Sequence, residues 1–269
     1  MTIQSAKLLT LATAIFCVVL NTQRPAQSAV PKGLAASPQR ETEQFFFPSP
    51  LLAQAQTSAL SAEVERLVTE GAVAFQTETE AGYKQAIANW KSVESEVLAD
   101  GTADDAALLY LLLGRAHDLL GQNQTALNYY DQALPSFRDA GDLLGEARAL
   151  NFIGLLQDGF GERQEAFRLY GEALALAEQV GDLEMQASVL GNIGSTHNAL
   201  GDKLKAVEFY VQSVDIVREL GNKNMEGTLL NNIGFAYNDL GEKDEALEYY
   251  DQALPLLREV GDRAWKPPF

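Results

Sequence analysis

Three ladders of glycine recur at an interval of 40 residues: Gly121, Gly161, Gly201 and Gly241; Gly141, Gly181, Gly221 and Gly261; and Gly114, Gly154, Gly194 and Gly234. A period of that length builds a stack of like units, each too small to bury its apolar face alone. Ala126, Ala166, Ala206 and Ala246 keep the same register, as do Tyr130, Tyr170, Tyr210 and Tyr250. Residues 126–135 and 246–255 differ only at Asn128 against Glu248. The period also reaches backward, because Ala86 and Trp90 stand 40 residues before Ala126 and Tyr130. A worn first unit therefore occupies 60–100, and regular units follow at 101–140, 141–180, 181–220 and 221–260.

Each unit reads as two antiparallel helices. In the third, Leu190, Ile193, His197 and Leu200 make one apolar stripe, and Gly201 stops the helix. Ala206, Phe209, Tyr210, Ser213, Ile216 and Val217 continue the stripe on a second helix that ends at Gly221. Asp142, Asp182, Asn222 and Asp262 each follow a glycine and are residue types that satisfy the free N–H groups of a new helix, while Asp202 puts negative charge at one. The pattern predicts about eight helices in 101–260 and two in the worn unit. Of the pairs Tyr129-Tyr130 and Tyr249-Tyr250, the second member belongs in the core, with Trp90 in the equivalent slot. Pro135 and Pro255, inside second helices, are expected to kink or loosen them.

Met1 to Lys7 is polar with one positive charge, and Leu8 to Leu20 is a 13-residue apolar run, too short to span a bilayer. With small residues at Ala26-Gln27-Ser28 and Ala29, residues 1–29 are expected to be a signal peptide directing export to a periplasm or the exterior; an uncleaved membrane anchor is the alternative. Ala53-Gln54-Ala55 offers a later start. Residues 30–59, with Pro31, Pro38, Pro48 and Pro50, read as a flexible linker; Phe45-Phe46-Phe47 within it is either a sticky stretch or a docking peptide. Twenty Lys and Arg against 37 Asp and Glu leave a net charge of −17. Such a chain is repelled by nucleic-acid phosphates and by anionic membrane surfaces. One cysteine, Cys17, and two histidines, His117 and His197, provide no thiolate or imidazole metal site and no disulfide framework, so no cofactor is expected.

The spacing Leu190…Ile193-Gly194…Gly201…Ala206…Tyr210…Ser213, repeated as Leu230…Ile233-Gly234…Gly241…Ala246…Tyr250…Ala253, resembles the tetratricopeptide repeat. The usual unit has about 34 residues; the longer unit here is similar to that of kinesin light chain and of the adaptors with Leu-Gly-Asn repeats. Gly191-Asn192 and Asn231-Asn232, both just before Ile-Gly, match that variety. The resemblance covers 101–260 well and 60–100 poorly. It implies an all-α fold, a right-handed superhelical solenoid of antiparallel helix pairs. The worn front unit behind an export signal also resembles cyanobacterial proteins that continue into a caspase-like protease domain, which is absent from this sequence.

In such solenoids the first helix of each unit lines a concave groove. Carried onto this sequence, the groove positions are Leu108, Leu111, Arg115 and Asp118; Arg148, Asn151, Leu155 and Asp158; Ser188, Asn192, Ser195 and Asn198; and Thr228, Asn231, Phe235 and Asn238. A carboxamide both donates and accepts, so a row of asparagines can pair with the main chain of an extended peptide. Phe235 and Leu155 supply apolar contacts in this reading, and Arg115 and Arg148 a clamp for a carboxylate. Solvated surface or bonds between helices are the competing explanation for the asparagines. Most of the excess acid must lie off these positions and serves solubility.

Other features carry less. His117, His197 and Tyr237 share a register and are expected to pack between helices. Ser195 and His197 are two residues apart and point to different helix faces, which excludes a nucleophile and base. A binding scaffold for a protein or peptide, not an enzyme, is the expected function. The alternative is a detached front end of a caspase-like protease system. At the carboxyl end, Pro267 and Pro268 interrupt the unit begun by Gly261-Asp262, so 261–269 reads as a truncated tail. The apolar edge of Ala246–Val260 is then covered by Trp265 and Phe269 or serves for self-association.

Overall fold

The computed structural model describes residues 60–259. The expected signal segment (1–29), the linker (30–59) and the tail (261–269) lie outside the described residues. Among the described residues there are ten α-helices and no strand: α1 (Ala62–Phe75), α2 (Glu80–Asp100), α3 (Ala103–Leu119), α4 (Asn123–Ala140), α5 (Leu143–Phe160), α6 (Arg163–Val180), α7 (Leu183–Leu200), α8 (Lys203–Leu220), α9 (Lys223–Leu240) and α10 (Lys243–Glu259). They fall into two compact units, one running to Leu156 and the other beginning at Gln157.

Turns of two to four residues force successive helices to reverse direction. At Gly201 the backbone takes φ 87°, which glycine alone adopts cheaply; its N–H bonds to Asn198 O (3.1 Å), and the Asp202 N–H reaches back to His197 O (3.0 Å). The two kinds of turn differ in the role of the residue after the glycine. Before α5, α7 and α9 that residue caps with its side chain. Asp182 Oδ1 accepts from Met185 N at 2.7 Å, Asn222 Oδ1 from Met225 N at 3.1 Å, and Asp142 Oδ1 from Gly145 N at 2.9 Å. Before α4, α6 and α8, Gln122, Glu162 and Asp202 make no such bond. Gln122 instead meets His117 Nδ1 at 2.5 Å.

In the second unit, Tyr210 of α8 and Tyr250 of α10 are buried against Gly194 of α7 and Gly234 of α9. A Cβ on either glycine would stand 2.7 Å from the tyrosine ring. Ser213 donates to Ala187 O at 2.7 Å, a buried bond tying α8 to α7. Burial pushes the Tyr210 phenol up to about 12, opposed by its hydrogen bond with Ser195. His197 lies between Phe167 (4.6 Å) and Phe209 (5.4 Å), and Tyr237 stacks on Tyr249 (5.5 Å), so both pack between helices.

The first unit repeats the device at Gly114, where a Cβ would meet the Tyr130 ring at 2.5 Å. Its worn pair uses a variant. Trp90 is fully buried and donates to Val68 O at 3.1 Å, and the glycine beneath it is Gly71, one helical turn before the register position taken by Ala74. Tyr129 is buried as well as Tyr130, correcting the expectation for that pair. It stacks on His117 (5.4 Å) and accepts a 2.7 Å bond from Lys91, which gives its hydroxyl a partner. Both prolines sit on exposed helix faces, where water can serve the carbonyls they leave free, and α4 and α10 run on past them to Ala140 and Glu259.

Two glycines on α7 separate packing from propensity. Gly194→Ala drives a methyl into the Tyr210 ring and is expected to cost about 2 kcal/mol. At Gly191 a Cβ meets nothing nearer than Leu229 Cδ2 at 3.4 Å. Gly191→Ala should therefore be neutral or stabilise by about 0.5–1 kcal/mol. Urea unfolding of the two variants beside the parent checks both signs.

Candidate functional site

The first helices of the pairs carry the groove positions, and the two units treat them differently. In the first unit the face of α3 is filled. Leu111 is 4% exposed, Arg115 7%, and Leu112 6%. The Arg115 guanidinium bonds Asp118 at 2.7 Å and lies 5.3 Å from the centre of the Phe152 ring. It is thus committed to its own unit and is not the carboxylate clamp the sequence suggested. Asn151, 3% exposed, is buried rather than open to a ligand. Arg148 is half-buried and already engaged, and Leu155 and Leu108 are half-buried apolar neighbours of this filled face.

The second unit leaves its face open and polar. Ser188, Asn192, Ser195 and Asn198 on α7 and Thr228, Asn231, Phe235 and Asn238 on α9 are all half-buried. The Ser195 and Tyr210 hydroxyls lie 3.1 Å apart. Asn198 Oδ1 accepts from Lys203 at 2.8 Å, and Lys203 also pairs with Asp239 at 2.6 Å. Phe235 stands edge-on to Tyr250, ring centres 5.7 Å apart. Asp158, at the end of α5, lies 3.4 Å from Arg163 Nε, and burial raises its carboxyl above the usual range despite that cation.

The register needs one correction. Gly191, 40 residues before Asn231, is buried toward Leu229 and Ser213, so its column faces neighbouring helices. Asn231 shares that column, and its Oδ1 is buried without a hydrogen-bond partner. The half-buried column is that of Asn192, which like Arg148 already has a partner within the protein, and its counterpart is Asn232, also half-buried. Sequence reasoning misses Asn232 although it stands 40 residues after Asn192. In the first unit the same column holds Leu112 and Phe152, both buried.

Charge is segregated. Helices α6, α8 and α10 carry eleven Asp and Glu residues, against three on α7 and α9. The α7–α9 face thus offers uncharged donors and acceptors beside one aromatic ring. Among the described residues no cluster of three or more His, Cys, Asp or Glu is placed to hold a metal, and no helix is long and apolar enough to cross a membrane.

Paired helices locked by glycine–aromatic contacts, with a half-buried polar face on the first helices of the second unit only, define a helical-repeat scaffold. A family model described as tetratricopeptide repeat matches residues 104–179 and 185–259, and the chain belongs to that family. No curated protein matches the sequence. Among solved structures, BtubC (BKLC) from P. vanneervenii is 18% identical with a TM-score of 0.63, covering 77% of this chain and 85% of that one. The kinesin light chain repeats of Podosopora anserina are 17% identical at a TM-score of 0.58, covering 75% of this chain and 98% of theirs. A Rap protein complexed with Competence and Sporulation Factor is 19% identical at 0.68, covering 78% of this chain but 58% of its own. These likenesses establish the fold, a solenoid of the tetratricopeptide-repeat type.

Because the folded state holds the Asp158 proton more tightly than the unfolded chain, that stabilisation is present at low pH and lost as pH rises through the raised value. Asp158→Asn, the residue type found at Asn198 and Asn238, is expected to raise the melting temperature at neutral pH. The gain should shrink at acid pH, as the parent carboxyl takes up its proton. Thermal unfolding of both proteins at the two pH values tests this. In the first unit, Asp118→Ala strips the buried Arg115 of its nearest carboxylate and should cost about 3 kcal/mol in urea unfolding.

Proposed function

We propose that the chain is an exported scaffold that binds a protein or peptide segment along the face made by α7 and α9. One observation carries the reading: Asn192 and Asn232 stand in the same place on neighbouring first helices, half-buried, where the first unit has buried Leu112 and Phe152. Asparagine is a poor residue for a helix interior, and these two do not fill the core as their counterparts do. Their carboxamides are suited to the N–H and C=O groups of an extended segment. The Rap protein of like fold, crystallised with Competence and Sporulation Factor, supports the use of such a scaffold for binding. Binding rather than catalysis also suits a face whose polar groups are hydroxyls and carboxamides.

The net charge of −17 favours a protein partner over nucleic acid or an anionic membrane. Export rests on the character of residues 1–29, and fractionation with amino-terminal sequencing of the product tests it. Self-association through the Ala246–Val260 edge is the competing use of the molecule, and light scattering over a concentration series reads it.

The binding role is tested by capture from native extract with the full chain and with Asn192→Ala/Asn232→Ala, shown by circular dichroism to keep its helix content. The expected result is a specific partner held by the parent and lost by the variant. Capture of the same proteins by both sinks the groove reading.

A further inference from the structure

Resting on the reading above, we infer that the segment held on the α7–α9 face is an internal stretch without acidic groups, with an apolar side chain seated between Ser195 and Phe235. Three features lead there.

The first is the state of the cations. Helix α7 has no Lys or Arg, and the only one on α9, Lys223, is paired with Glu259 at 2.7 Å. Of the neighbouring cations, Lys203 is held by Asp239 and Asn198, and Arg163 faces Asp158. A carboxylate or phosphate arriving here must compete with a carboxylate already in place, in a chain with a net charge of −17.

The second is the change of side chain along one column. The position held by buried Arg115 in the first unit is Ser195 on α7 and Phe235 on α9. The two helices are neighbours, since a Cβ on Gly191 of α7 would touch Leu229 of α9 at 3.4 Å. Both residues are half-buried, and in this inference the small Ser195 side chain beside the Phe235 ring provides the recess that the anchor enters. The Ser195 hydroxyl is engaged by Tyr210 at 3.1 Å, and the Phe235 ring is braced edge-on by Tyr250. Burying a charged group there would strip it of water, whereas an apolar one gains from the ring.

The third is spacing. Asn192 and Asn232 lie three residues before Ser195 and Phe235, on the same helix face. Packed helices are about 8–10 Å apart, the reach of about three residues of extended chain. The two carboxamides can therefore hold main-chain groups about three residues apart while the side chain between them enters the recess. A segment gripped on both sides of its anchor needs no free terminus.

The test uses the full chain and three pools of neutral random nonapeptides, read by titration and by mass spectrometry of the retained species. One pool has central Leu with both ends blocked, one has central Asp with both ends blocked, and one has central Leu with a free carboxyl terminus. The blocked Leu pool is expected to bind about tenfold more tightly than the Asp pool, and freeing the carboxylate should add nothing. Ser195→Leu, which fills the recess, should abolish the preference for Leu, and Phe235→Ala should reduce it without disturbing α7. If the Asp or free-carboxylate pool binds as well or better, and the Asn192→Ala/Asn232→Ala variant still loses it, the groove reading stands and this inference falls. Retention of no pool above the level of that variant overturns both.

Discussion

The contact between a glycine on one helix and an aromatic ring on the next sets the geometry on which everything else in each unit depends. At Gly194 and Gly234 a single added carbon would stand 2.7 Å from a tyrosine ring, and at Gly114 2.5 Å from one, so the helices approach as closely as backbone against ring permits. The ring fills the volume the glycine vacates, and Ala206, fully buried, brings its backbone oxygen to the same contact, 3.2 Å from a Cβ on Gly194. The worn pair shows that the contact matters more than the register. Trp90 keeps the aromatic role, and Gly71, displaced by one turn, keeps the glycine role.

With the interhelix distance set, the rotation of each first helix is no longer free, and that decides what its polar residues can do. In the first unit the face is occupied by Leu111, Leu112 and the Arg115–Phe152 pair, which makes it part of the core. In the second unit the Leu112 and Arg115 columns carry Asn192 and Asn232, and Ser195 and Phe235, all half-buried. Identical scaffolding thus yields a filled face in one unit and a half-exposed polar one in the other. Charge follows the same division: acidic residues gather on α6, α8 and α10, leaving α7 and α9 nearly neutral.

The turns contribute a second asymmetry. Before α5, α7 and α9 an Asx side chain caps the new helix. Before α4, α6 and α8 glycine acts without a side-chain cap, and Gln122 and Asp202 turn toward His117 and His197 instead, at 2.5 and 3.5 Å. That leaves the histidine register tied to the turn and to an aromatic neighbour, so these imidazoles serve packing.

The period, the helix ends and the buried residues Trp90, Tyr130, Tyr210 and Tyr250 were legible in the sequence because each is a local requirement repeated every 40 residues: glycine where φ must be positive, an aromatic where a glycine leaves space. The identity of the open column was not legible. Asn231 and Asn232 are adjacent in sequence and about 100° apart around the helix. Both are half-buried, and only the packing of neighbouring helices buries the Asn231 Oδ1 without a partner. The same holds for Arg115 and Asn151, whose types suggested ligand contacts and whose neighbours bury them. Sequence alone determined the repeat, its helices and its family; tertiary packing decided which of the chemically equivalent side chains still face outward, because exposure belongs to the neighbours of a residue and not to the residue itself.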